Sequence, residues 1–105
     1  MEIDLGKNYN IERIELVTHQ DASSTEKTRS NFVIEGATHD GFLFEENTPN
    51  FDENPPLHNQ VTPLNQHETL TLNFPGTYRA IRVRKTVQNE RLLIAELRIF
   101  VNNPD

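Results

Sequence analysis

Alternation is the feature that most constrains this chain. Leu70, Leu72 and Phe74 alternate with Thr69, Thr71 and Asn73, and Pro75-Gly76 follows. Successive side chains of a β-strand point to opposite faces, so this pattern predicts a half-buried strand with Pro-Gly as its terminator. Ile81 and Val83 alternate with Ala80, Arg82 and Arg84 to give a second. Ile14, Leu16 and Thr18 alternate with Glu15, Val17 and His19, and Phe32 and Ile34 with Asn31, Val33 and Glu35. Phe42-Leu43-Phe44 and Ile3-Asp4-Leu5, the latter ending at Gly6, are shorter candidates. Short strands separated by turn residues predict an all-β sandwich or barrel. The segment from Leu92 to Val101 reads two ways. Leu93, Ala95, Leu97, Ile99 and Val101 suit a strand. Asn89 as a cap with Leu93, Leu97 and Phe100 on one face suits a helix.

The chain has 105 residues, which predicts one domain over 1–105. Only 34% of residues are hydrophobic, so the core is thin. The net charge of −6 argues against a nucleic-acid partner or an anionic membrane surface, both of which need a basic footprint. There are no cysteines, which excludes a disulfide framework, thiolate metal sites and a cysteine nucleophile. No apolar run is long enough to span a bilayer, and the first residues carry no signal-peptide pattern. Charge is divided along the chain. No Lys or Arg lies between Ser30 and Tyr78, a region that holds Glu35, Asp40, Glu45, Glu46, Asp52, Glu53 and Glu68. The following strands carry Arg79, Arg82, Arg84, Lys85, Arg91 and Arg98. These cations are expected to lie on solvated strand faces and to pair with the acidic loop. A patch for an anionic ligand is the sharper alternative. Two polar loops are expected, Gln20–Ser30 and the proline-rich Glu45–His67. Long loops in compact domains tend to be functional.

Four blocks carry a family resemblance. They are Glu2-Ile3-Asp4-Leu5-Gly6 with Ile11, Ile14 and Leu16; Asn31-Phe32-Val33-Ile34-Glu35; Tyr78-Arg79-Ala80-Ile81-Arg82-Val83; and Ala95-Glu96-Leu97-Arg98-Ile99-Phe100. In this order the chain resembles discoidin domains, also called coagulation factor V/VIII type C domains, and is similar to family 32 carbohydrate-binding modules and F-type lectins. The resemblance implies a jelly-roll β-sandwich of the galactose-binding kind, with the last segment as a strand. The family's usual first segment, with a calcium-binding loop and a Trp, has no counterpart before Glu2. The chain therefore looks N-terminally truncated and like part of a larger polypeptide.

The resemblance also implies a function: a non-catalytic carbohydrate-binding module, extracellular or on a cell surface. Galactose- or fucose-type glycans would bind through loops at one end of the sandwich. In F-type lectins a loop of the form R-x-D…R grips sugar hydroxyls. Here His19, Asp21, Lys27 and Arg29 occupy it, with His19 in place of the first Arg. A carboxylate beside a fixed guanidinium suits paired hydroxyls, because both make directional, charge-assisted bonds. Phe44 and Phe51 are the candidate aromatics for a sugar's apolar face. Ala95 and Glu96 match the family's calcium pair, although calcium takes six to eight oxygens and the remaining family ligands are missing. Alternatively, Glu96 pairs with an arginine such as Arg82 or Arg98. The histidines at 19, 39, 58 and 67 lack metal-like spacing, and neither a nucleophile elbow nor a Gly-rich phosphate loop occurs. The alternative function is a structural or interaction domain that packs against a neighbouring domain of the same polypeptide.

Overall fold

The computed structural model describes residues 1–20, 25–38, 51 and 55–102. The described residues form five strands: β1 (Glu2–Thr18), β2 (Phe32–Ala37), β3 (His58–Gln60), β4 (Thr69–Lys85) and β5 (Ile94–Asn102). A 3-10 turn, Glu26–Arg29, precedes β2. All pairings are antiparallel, in the order β3-β2-β4-β1-β5. The protein is all-β, and its curled antiparallel sheet is consistent with a β-sandwich.

The curl follows from strand length. A regular strand of 17 residues, the length of both β1 and β4, would reach about 53 Å. The longest dimension of the molecule is 41 Å, so both strands must bend. Two irregularities in the β1–β4 ladder supply the bend. Asp4 faces Ala80 and Tyr9 faces Tyr78, so residues 5–8 of β1 bulge opposite Arg79 alone. Ile11 faces Gly76 and Arg13 faces Asn73, so Phe74 and Pro75 bulge opposite Glu12. Such bulges sharpen twist and let one strand pass from one layer to another. Gly6 and Gly76 take φ of +90° and +135° there, values that glycine reaches without a Cβ penalty. Asp4 Oδ1 accepts the Gly6 N–H at 2.8 Å and fixes the first bulge.

The bent ribbon closes on itself. β2 pairs with the last residues of β4, while β5 pairs with the second half of β1. One layer contributes Phe32, Ile34, Ile81 and Val83 and the other Ile11, Ile14 and Leu16, and all seven lie in one buried cluster. Leu70, Leu72, Leu97 and Ile99 pack around it, each opposite Leu16 or Ile14 in register. Removing such apolar area from water is the principal stabilising term.

Several expectations are corrected. Pro75-Gly76 does not end a strand, because the irregularity is absorbed as a bulge and Phe74 projects outward, 77% exposed. Likewise Gly6 does not separate Ile3–Leu5 from Ile14–Thr18; both belong to β1. β3 lies inside the stretch read as loop, held by three residue pairs to β2. The segment with two readings is a strand, β5. Phe42-Leu43-Phe44 lies outside the described residues.

Candidate functional site

Because the ribbon is bent double, both ends of β4 come to the same end of the sandwich, with the end of β1 and the starts of β2 and β5. The connecting segments are fastened there. Thr18 Oγ1 donates to the Asn65 carbonyl at 2.6 Å and accepts the Glu68 N–H at 2.9 Å. Arg29 Nε donates to the Leu64 carbonyl at 2.7 Å, and the Leu64 N–H donates to the Arg29 carbonyl at 3.0 Å. The Leu93 N–H reaches the Thr28 carbonyl at 3.2 Å. Lys85 Nζ donates to the carbonyls of Lys27 and Ser30 and pairs with Glu90 Oε1 at 3.1 Å. Thr86 donates to the Asn31 carbonyl through both its N–H and its hydroxyl.

Beside this knot lies an open cleft of about 460 Å³. Val83, Leu92, Leu93 and Ile94 form its apolar lining, with Met1 at one side. Arg84, Lys85, Glu90 and Arg91 supply its polar lining. Lys85 and Glu90 are committed to each other. Arg84 uses Nε to pair with Glu35 at 2.8 Å and remains half exposed. Arg91 is exposed, next to the aliphatic run. The cleft thus offers directional donors above an aliphatic floor.

The structure gathers part of the sequence-predicted set here. His19, Lys27 and Arg29 all lie at this end. Lys27 is exposed, while Arg29 is only 8% exposed and holds the Leu64 carbonyl. Arg29 therefore fastens two segments. Asp21 and Phe44 lie outside the described residues. Phe51 is elsewhere, on the outer face of β2 and β4. It is buried against Ala37 and Ala80, with the Arg82 guanidinium 4.4 Å from its ring centre. The same guanidinium reaches Glu35, which is buried between Arg82 and Arg84.

The expected calcium pair, Ala95 and Glu96, lies on the edge strand β5. Ala95 is exposed, and Glu96 Oε1 lies 3.8 Å from Arg98 Nε, a cation of the expected alternative partner set. Among the described residues no three His, Asp or Glu side chains gather as metal ligands. The basic strands pair chiefly with carboxylates of other strands: Arg79 with Asp4, Arg82 and Arg84 with Glu35, and Arg98 with Glu15. Arg79 also draws the Asp4 carboxyl below its ordinary range through a hydrogen bond, helped by the Gly6 N–H. Among the described residues no helix is long and apolar enough to cross a membrane.

Sequence reasoning missed Arg84, Arg91 and Leu92–Ile94 as one surface. Their adjacency in sequence was the available signal: two arginines flank a turn that leads into three consecutive aliphatic residues. Fold and site together define an all-β domain with a cationic, aliphatic-floored cleft at its loop end. Comparisons with protein-family models, curated proteins and solved structures give no match to this chain.

Proposed function

We propose that the chain is a non-catalytic carbohydrate-binding module with a jelly-roll arrangement of the discoidin kind, and that its binding surface is the loop-end cleft. The observation that carries this reading is the pairing of Arg84 and Arg91 with the Leu92–Ile94 floor in a cleft of about 460 Å³. A sugar needs hydrogen-bond partners for its hydroxyls and an apolar surface for its ring face. The guanidiniums supply donors, Arg84 held in place by Glu35, and the aliphatic run takes the place usually given to an aromatic. Cations outnumber carboxylates in the lining, so the favoured ligand is a glycan bearing a carboxylate beside its hydroxyls. Neutral galactose or fucose would bind more weakly.

A glycan array followed by calorimetry on the purified chain tests this. Binding to uronic- or sialic-acid-type glycans is expected, with loss in Arg91→Ala, whose side chain makes no bond to the described residues. Failure to bind any glycan would overturn the proposal. A second reading, an interaction domain docked on a neighbouring domain, is favoured by one observation: Arg29, the cation that matches the lectin pattern, is buried in fastening the fold.

A further inference from the structure

The sheet has two outer strands, and they differ. β3 is three residues long, whereas β5 runs for nine, and among the described residues nothing pairs with its outer edge. A long edge presents a row of backbone donors and acceptors to any strand that can match it. The inward side chains of β5, Leu97, Ile99 and Val101, are only half buried, so the core is thinly covered along that edge.

We infer that β5 pairs antiparallel with β5 of a second copy of this chain, joining two sheets across a two-fold axis at Leu97. Charge selects both the partner and the register. In a symmetric pair, residues directly opposite share a face, so only registers that keep inward residues facing inward are allowed. Centred on Glu96, the pair sets two carboxylates against each other. Centred on Arg98, it sets two guanidiniums together. Centred on Ile99, it leaves Arg98 opposite Phe100 and Glu96 opposite Asn102. Centred on Leu97, it places Glu96 opposite Arg98 of the second copy, twice, on the outer face. Leu97 then meets Leu97 on the inner face, ahead of the bulge at Ala95. Opposite charges across a ladder stabilise it and like charges oppose it. Glu96 is suited to this role, since within its own chain it stands 3.8 Å from Arg98 and its side chain is about half exposed. A dimer would carry two loop-end clefts, and linked sites bind multivalent ligands more tightly than single ones.

Sedimentation velocity over a concentration series of the purified chain is the test. Wild type is expected to dimerise. Glu96→Arg and Arg98→Glu are each expected to weaken the dimer by about tenfold or more, as two attractive pairs become repulsive. The double exchange, Glu96→Arg with Arg98→Glu, is expected to restore it. Circular dichroism melts confirm that each variant is folded, which matters for Arg98 because it also pairs with Glu15 at 3.2 Å. A wild-type chain that stays monomeric at the highest concentration overturns the inference. A dimer that ignores the single exchanges overturns it equally, as does a folded double exchange that stays dissociated.

Discussion

Glu35 offers the sharpest test of how the outer face is held. Its side chain is 4% exposed, and Oε1 accepts from Arg82 Nε at 3.0 Å and from Arg84 Nε at 2.8 Å. Replacement by Ala removes the shared carboxylate and leaves two guanidiniums side by side, that of Arg82 over Phe51. Breaking a fully buried pair costs about 3–5 kcal/mol, because the surviving charge is left uncompensated. Here the survivors are partly wet: the Arg82 side chain is 26% exposed and that of Arg84 is 48% exposed. Both can recover part of their hydration, which lowers the expected loss to about 2–3 kcal/mol. For a domain of this size that is a fall of roughly 10–20 °C in Tm. Glu35→Gln keeps an acceptor without the charge and should fall between Ala and wild type. Glu15→Ala is the control. Glu15 also joins two arginines, Arg13 and Arg98, but does so on the solvent side of β1 and β5, and its loss should cost less than about 1 kcal/mol. Urea unfolding followed by circular dichroism measures all three at a common m-value. A Glu35→Ala cost no larger than that of Glu15→Ala would refute the claim that burial, rather than the number of partners, sets the worth of an ion pair here.

Two further outcomes follow from the geometry. In Gly36→Ala, the new Cβ would stand 2.6 Å from Tyr78 Cδ1, so the ring must move or β2 must shift; a loss of about 1–3 kcal/mol in urea unfolding is expected, and the Tyr78→Leu background should recover part of it. A stability unchanged within about 0.5 kcal/mol would refute that packing. Arg79 and the Gly6 N–H hold the folded pKa of Asp4 below the unfolded value, so its contribution is present above the unfolded pKa near 4 and disappears as pH falls through the lower folded value. Thermal melts from pH 7 to pH 2 should therefore decline less steeply in that acid range for Asp4→Asn than for wild type, and parallel declines would remove Asp4 from the acid response.

Period-two alternation was enough to read the interior of the sheet, because Ile14, Leu16, Leu70, Leu72, Ile81 and Val83 face inward in the way their spacing implies. The breaks were harder to read. Pro75-Gly76 carries the same local signature whether a chain turns back or bulges and continues. What decides is the partner strand, and Glu12 opposite Phe74 and Pro75 is remote in sequence. β3 left no pattern, since three residues cannot show a period. Alternation of Phe32 and Ile34 with Val33 and Glu35 implies one wet face for β2, yet all six of its residues are buried. Val33 on the supposedly wet face was the hint.

None of the residues expected from the sequence to bind a ligand lines the cleft, for one physical reason. A cation in a polar loop looks equally available whether it reaches solvent or a distant carbonyl. Arg29 and Lys85 are alike in sequence with Arg84 and Arg91, but the first two are consumed by carbonyls of Leu64, Lys27 and Ser30 in closing the loop end. Those bonds connect segments whose proximity exists only after β1 and β4 have bent. The same bend that brings the loop-end segments together therefore decides which basic residues fasten the fold and which stay exposed. Arg84 is held by Glu35 and stays half exposed, and Arg91 is exposed. A cleft built this way depends on the bulges at residues 5–8 and 74–75, none of which lines it. Straightening either one would separate Leu93 from Thr28 and Arg29 from Leu64, and the cleft would be lost with no change to the residues that line it.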